Sequence, residues 1–435
     1  MQRVFVLDKN KKALAPCHPA RARELLTKKK AAVFRRYPFT IILKERNGGD
    51  VQPIELKFDP GSKTTGIAVV AQFQRGLMVV WAAELEHRGQ RIKSLLDSRR
   101  MVRRNRRNRK TRYRKPRFLN RTKPQGWLAP SLMSRVYNCQ TWARRIIKFA
   151  PVSEIAVETV RFDTQKMQNP EISGVEYQQG TLAGYELREY LLEKWHRKCA
   201  YCGAENVPLE IEHIHPKAKG GTNRVSNLAM ACGDCNDNKG TDDVRVFLKD
   251  KPDVLKRILA QSKAPLKDAA AVNATRYAIG RAMKSFGLPV SFWSGGRTKF
   301  NRCSQNLPKT HWLDAACVGE TGCYVQIQTG LTALSIKATG HGSRQMCSMN
   351  KYGFPRTGPK QAKKVHGFKT GDIVKAIVPK GKYAGTHTGK VAVRCIGAFR
   401  VGEVDGINWK YCSLIHAADG YTYTQQKGER PSSVG

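Results

Sequence analysis

Apolar and polar positions change period several times along the chain, and each change predicts an element. VFVLD (4–8) is a short apolar run of strand type, and PARARELLTKKK (19–30) carries helical spacing. AAVFRRYPFTIILKE (31–45) reads as one strand bent at Pro38. Asn47-Gly48-Gly49 then breaks the chain, and IELKFDPGSKTTGIAVVAQF (54–73) predicts two strands joined by a glycine-bearing turn. Residues 131–149 space Leu132, Val136, Trp142 and Ile146 as one face of an amphipathic helix, and SEIAVETV (153–160) follows as a buried strand. A Cys/His-rich block fills 196–240, and helical spacing runs from there to about 330. The last hundred residues alternate in KTGDIVKAIV, GKVAVRCI and GYTYTQQ, which predicts a small antiparallel β-barrel. No internal repeat occurs. The pattern is that of an α/β protein of several domains, as 435 residues require.

Composition sharpens this picture mainly through charge. Apolar residues make up 40%, enough to bury real cores, but 78 Lys and Arg against 34 Asp and Glu leave a net charge of +44. Soluble domains usually lie within about eight charges of zero, so this excess points to a polyanion whose bound counterions are released on association. The segment MQRVFVLDKNKK has no signal-peptide core, and no run of eighteen apolar residues occurs, so a cytoplasmic protein without a membrane partner is expected. Charge is densest at 99–123, where fourteen of twenty-five residues are Lys or Arg and none is acidic. Arg99, Arg103, Arg106 and Lys110 fall on one helical face with Arg100, Arg104 and Arg107 beside them. Arg109, Arg112 and Arg114 extend the run towards Pro116, where a helix should stop. A helix laid against phosphates is the expected use.

Four of the twelve cysteines form two C-x-x-C knuckles, Cys199/Cys202 and Cys232/Cys235. Thiolates so spaced make a closed tetrahedral zinc site of structural type; the other eight are scattered as reduced thiols are, and no structural disulfide is expected. Between the knuckles lie Glu212-His213-Ile214-His215-Pro216, then Gly220-Gly221, then Asn227, which reads as a hairpin followed by a helix beginning near Asn236. An acid–histidine pair on one strand, an asparagine on the next and another on the helix closely resemble the zinc-bound branch of the HNH nucleases. The resemblance implies that His213 is the general base and that Glu212 and Asn236 give oxygen ligands to Mg²⁺. Asn227 would hold the loop and orient His213, and His215 would pack or contact phosphate.

Three dispersed acids suggest a second centre. Asp59 ends a strand before Pro60-Gly61-Ser62 and Gly66, Glu158 ends the strand IAVE, and Asp314 shares a helical face with His311 in HWLD. Taken singly, each reads as a turn residue or a helix cap. Together, in this order, they resemble the split motifs of a RuvC-type RNase H fold. That resemblance implies Asp59, Glu158 and Asp314 as ligands of paired Mg²⁺ ions, with His311 moving a proton or placing the attacking water.

The nesting of the HNH block between the second and third of these motifs, with an Arg-rich helix after the first, is similar to that of the IscB family, compact relatives of CRISPR effector nucleases. Ala13-Leu14-Ala15-Pro16 resembles that family's PLMP motif with alanine at two of its positions, and 337–344 and 352–356 resemble RNA-contacting segments. The expected organisation is a PLMP-like α+β module (1–50), RuvC parts at 51–85, 126–195 and 246–330, a bridge helix (86–125), the HNH module (196–245) and a C-terminal β domain (331–435). The resemblance further implies a structured guide RNA, a monomeric protein within a ribonucleoprotein, and a double-stranded DNA target with a short flanking motif. HNH would cut the paired strand and RuvC the displaced one. Two other readings fit parts of the sequence: a guide-independent HNH endonuclease, and a non-catalytic zinc-containing RNA-binding protein.

Overall fold

The computed structural model describes residues 2–49, 51–108, 126–159, 185–262, 267–342, 347, 349–352, 354–359 and 362–425. Four short strands, β1 (Val4–Leu7), β2 (Ala13–Cys17), β3 (Ala31–Arg35) and β4 (Thr40–Leu43), form a first sheet in the order β2-β1-β4-β3, with helix α1 (Pro19–Thr27) between β2 and β3. The single bent strand expected at 31–45 is two antiparallel strands instead, because the chain turns back fully around Pro38.

A seven-stranded sheet is the main body. Strands β5 (Ile54–Pro60), β6 (Thr64–Phe73) and β7 (Gly76–Glu86) run antiparallel in sequence. Helices α2 (Gly89–Asn108) and α3 (Pro130–Phe149) follow, and β8 (Val152–Glu158) returns parallel to β5. The chain then leaves the sheet through α4 (Tyr185–Lys194). It builds the hairpin β9 (Leu209–His213) and β10 (Leu228–Cys232) and the helices α5 (Gly233–Lys239), α6 (Val244–Phe247) and α7 (Pro252–Ser262). Helix α8 (Lys267–Lys284) leads back to β11 (Val290–Trp293), parallel to β8; α9 (Gly295–Ser304), α10 (His311–Ala316) and β12 (Leu334–Ala338), parallel to β7, come next. Strands β13 (Lys364–Val365) to β19 (Cys412–His416) form the C-terminal module, and β20 (Tyr421–Gln425) closes the main sheet beside β12.

The sheet is covered on both faces, which is why its strands read as near-continuous apolar runs. Leu56, Phe58, Ile67, Val69, Trp81 and Val157 pack under α3 and α8, where Trp142 stacks 6.1 Å from Trp81. Ala68, Val70 and Ala82 face the other way and meet Trp312, Leu313 and Ala315 of α10. Period-two alternation therefore sends Glu55, Lys57 and Asp59 of β5, with Glu158 of β8, to the α10 face.

The structure differs from three expectations. Residues 331–435 are not one module, because 334–338 and 421–425 belong to the main sheet. GYTYTQQ has the alternation of a barrel strand, but Tyr421 and Tyr423 spend it on packing edge-on against Trp142. Of the remaining C-terminal strands, β13 and β14 (Phe368–Lys369) pair with each other, and the other five form a sheet in the order β18-β17-β16-β15-β19, where β16, β17 and β18 are Gly385–Ala392, Ala398–Val401 and Val404–Asn408 and β15 is Ile373–Val378. A strand at 290–293 also interrupts the region expected to be helical, being too short to show a period. Among the described residues no helix is long and apolar enough to cross a membrane.

Candidate active sites and metal centre

The hairpin β9–β10 and helix α5 carry the first site. Sγ atoms of Cys199, Cys202, Cys232 and Cys235 all lie within 4.8 Å of one another, and Cys202 and Cys232 are 3.7 Å apart. A tetrahedral zinc with bonds of ~2.3 Å has sulfur–sulfur edges of ~3.8 Å, so the cluster has the size zinc requires. Cys232 ends β10 and precedes α5, which ties the knuckles to the strand pair and the helix.

His213 ends β9, and its Nε2 lies 2.9 Å from the Asn223 Oδ1. An amide oxygen only accepts, so Nε2 is the donor in this contact. Asn227 fixes the connection between the strands: its amide donates to His215 O and Thr222 O at 2.9 and 2.8 Å and accepts from the His215 N–H at 2.9 Å. His215 is held at both ring nitrogens, by Asp243 at 2.7 Å and by Lys219 O at 2.8 Å, so it packs the loop. Gly221 is obligatory in that loop, since a Cβ there would stand 1.9 Å from His215 O.

Glu212 departs from expectation. Its carboxylate is buried, accepting from the Tyr201 hydroxyl at 2.5 Å and from Lys239 Nζ at 2.7 Å. Lys239 is itself fully enclosed and also donates to His213 O. Asn236, expected beside Glu212, instead donates to Glu210 Oε2 at 2.7 Å on the exposed rim. The face of β9 covered by α5 thus presents two acids, one neutralised inside and one open. Asn223, Tyr201, Lys239 and Glu210 carry no signal of their own in the sequence beyond their nearness to the motif.

The second site forms at the carboxyl ends of β5 and β8. Phe58 pairs with Val157, so Asp59 and Glu158 emerge side by side. Helix α10 brings the other two residues: His311 Nδ1 lies 3.8 Å from Asp59 Oδ2, and Asp314 Oδ1 is 2.8 Å from Arg302 Nε. Thr310 caps the helix by accepting from the Leu313 N–H at 3.3 Å. Burial and then the Asp59 charge raise Asp314 to about 6, and the same two causes push Glu158 well above the carboxylate range, although the Thr298 hydroxyl bonds to it. Such a trio repels itself and fits a divalent cation.

Close approach of α10 depends on Gly66, the cross-strand partner of Asp59, where a Cβ would lie 1.8 Å from His311 O. From below, Lys57 sends a fully buried Nζ to Ala316 O (3.3 Å), Val318 O (2.7 Å) and Thr321 Oγ1 (2.6 Å), with Glu55 at 3.3 Å. An ammonium at that end of α10 suits the helix dipole. Arg135 on α3 donates to Pro60 O and Thr275 Oγ1, anchoring the residue after Asp59. These supports were invisible in the sequence because an isolated Lys or Arg in an apolar stretch has no period to betray its partner.

Helix α2 exposes Arg99, Arg100, Arg103, Arg104 and Arg107. The side chain of Arg106 and the residues Arg109, Lys110, Arg112 and Arg114 lie outside the described residues, as do residues 343 and 344 of the 337–344 segment.

Comparison with known proteins gives two family matches. Residues 4–180 match the family described as RRXRR protein, and residues 199–242 match HNH endonuclease. No curated protein matches. Among solved structures, the type II-C Cas9 enzyme from Actinomyces naeslundii aligns at 16% identity over 40% of this chain and 24% of its own, with a TM-score of 0.16. Streptococcus thermophilus Cas9 in complex with the GGAA PAM and with the AGAA PAM aligns at 12% and 10% identity, over 60% and 61% of this chain, with a TM-score of 0.19 in both cases. This chain covers 32% of each of those two chains, so it spans a quarter to a third of the length of these neighbours. The chain is a mixed α/β multidomain protein that carries an HNH endonuclease domain with a four-cysteine cluster suited to zinc.

Proposed function

We propose that this chain is an RNA-guided, double-stranded DNA endonuclease with two nuclease centres, of the IscB type. The observation that carries the reading is the nesting. The hairpin–helix unit with His213 leaves the main sheet after β8 and returns before β11, and the acids Asp59, Glu158 and Asp314, drawn from both sides of that excursion, converge at one place. The strand order β7-β6-β5-β8-β11, three antiparallel strands continued by two parallel ones, supports an RNase H-like (RuvC) core.

At the HNH centre His213 acts through Nδ1, taking a proton from the water whose oxygen bonds to phosphorus as the bond to the leaving sugar oxygen breaks. Asn223 holds the ring in the tautomer this needs. A hard cation supplies charge stabilisation there; Asn236 would hold it with Glu210, or with Glu212 if Lys239 yields its oxygen. At the second centre Asp59, Glu158 and Asp314 would hold divalent cations, which would supply polarisation of water and leaving group, while His311 beside Asp59 would move a proton or place the attacking water. Cys199, Cys202, Cys232 and Cys235 hold structural zinc. The net charge of +44 and the exposed arginines of α2 support a structured guide RNA as the resident polyanion. Base pairing to that RNA would select the DNA, with HNH cutting the paired strand and the second centre the displaced one.

The test is purification with the flanking non-coding DNA co-expressed, sequencing of bound RNA, and cleavage of a target library with randomised flanks. A discrete RNA with programmable cutting, and nicking of opposite strands by His213→Ala and Asp59→Ala, is the expected result. Cutting that needs no RNA and is lost with His213→Ala alone would make the protein a guide-independent HNH endonuclease. No hydrolysis by either centre would leave a zinc-containing RNA-binding protein.

A further inference from the structure

A cavity of about 230 Å³ opens beside the carboxylate centre, lined by Lys63, Thr64, His196, Arg197 and His311. Its walls come from three distant stretches of chain. Lys63 ends the turn between β5 and β6, just after Asp59, Thr64 opens β6, and His311 begins α10. His196 and Arg197 come from the junction between α4 and the first zinc knuckle. That junction has a specific shape. Both residues adopt a left-handed backbone, with φ of 57° each, and the Arg197 N–H closes back on Leu192 O at 2.8 Å. This is a helix-ending turn of the kind glycine usually makes, here built from two side-chain-bearing residues. Trp195 is locked immediately before it, its indole donating to Leu228 O at 3.1 Å, and Cys199 follows it. The turn therefore delivers His196 and Arg197 as fixed groups.

The charge of the cavity is the reverse of its neighbour's. Arg197 and Lys309 both act on Asp314 as cations, and Lys309 also acts on Glu158. A three-carboxylate centre by itself repels the phosphodiester chain it must cut, and a cationic wall on one side restores attraction for the phosphate that lies next along the strand. We propose that Lys63, His196 and Arg197 form a phosphodiester subsite for the strand cut at the carboxylate centre, taking the phosphate adjacent to the scissile one. Arg197 is the principal group, since a guanidinium grips two phosphate oxygens at once. The subsite rests on the reading of Asp59, Glu158 and Asp314 as a nuclease centre, and it assigns a substrate-binding function to a junction that otherwise reads as a connector.

The test uses full-length protein with its co-purified RNA in a His213→Ala background, so that only the carboxylate centre cuts. Displaced-strand cleavage is measured for Arg197→Gln, Lys63→Gln and Arg197→Lys across a salt series. Arg197→Gln should raise KM about tenfold, as loss of a charge-assisted hydrogen bond does, and Lys63→Gln should raise it less. Each should lower the slope of log KM against log salt by about 0.7, the value for one single-strand phosphate contact. Arg197→Lys should recover part of the loss. A neutral methylphosphonate next to the scissile position should weaken wild-type binding and add nothing to Arg197→Gln. Zinc content, and paired-strand nicking by the same variants with His213 intact, report on folding; Lys63→Gln tests the cavity from another element should Arg197→Gln disturb the knuckle. Unchanged KM and salt slope in both glutamine variants would overturn the subsite while leaving the nuclease centre standing. Displaced-strand cleavage that survives Asp59→Ala would instead remove the centre, and the subsite with it.

Discussion

Asp314→Asn is expected to make the protein more stable at neutral pH while abolishing displaced-strand cleavage. Burial and the Asp59 charge raise the Asp314 carboxyl from 3.8 to about 6. Native protein therefore binds more protons than unfolded protein between those values. The stability this group contributes is fully present below 3.8 and lost as pH rises through about 6. A rise of roughly two units corresponds to a cost of about 3 kcal/mol for the ionised form at pH 7.5. Asparagine has the same shape without the charge, and leaving the Arg302 guanidinium with a neutral partner returns part of the gain. A net stabilisation of about 2 kcal/mol is expected, read as a roughly thirtyfold slowing of α10 amide exchange in chelator. At pH 5 the advantage should shrink to a few-fold, because the wild-type carboxyl is then largely protonated. Added Mg²⁺ should slow exchange in the wild type by neutralising the trio and do little for the variant. Faster α10 exchange in Asp314→Asn than in wild type at pH 7.5, with chelator present, would refute the account of the trio as mutually repelling acids.

Gly66→Ala should cost at least about a hundredfold in displaced-strand cleavage, since its Cβ would meet His311 O at 1.8 Å and push α10 off Asp59; paired-strand nicking serves as the control, and near-normal displaced-strand cutting would refute the requirement for contact. Removing zinc should unfold the core around Trp195, Leu209 and Met230 and stop paired-strand nicking, as structural zinc sites contribute folding energy directly; an unchanged melting profile in protein shown by metal analysis to be zinc-free would contradict this. Glu212→Gln should destabilise the same core by about 3 kcal/mol, because Lys239 would be left buried without its counter-charge. Glu210→Gln should leave stability alone and raise the Mg²⁺ concentration that nicking requires; an unchanged Mg²⁺ requirement in Glu210→Gln would place the cation on Glu212.

Much of the local geometry was written in short spacings. Two C-x-x-C pairs announced the thiolate cluster, and the Glu212-His213 and Asn236 pattern matched a hairpin followed by a helix, because neighbouring residues and one-turn spacings have fixed geometry. The apolar runs IAVVA and IAV likewise marked buried strands, since a sheet covered on both faces needs apolar residues throughout. What the sequence left open was partnership across the fold. Alternation placed Lys57 and Asp59 on the polar side of β5, yet only the packing of α10 turned that side into a buried carboxylate centre with Lys57 beneath the helix end. Alternation also suited GYTYTQQ equally to a C-terminal barrel or to the main sheet, and the aromatic face against Trp142 decided it. Glu212 and Glu210 are of one type, two residues apart, and local pattern cannot rank them. Lys239 reaching Glu212 and Asn236 reaching Glu210 separate them, because which carboxylate is desolvated depends on the helix that covers it.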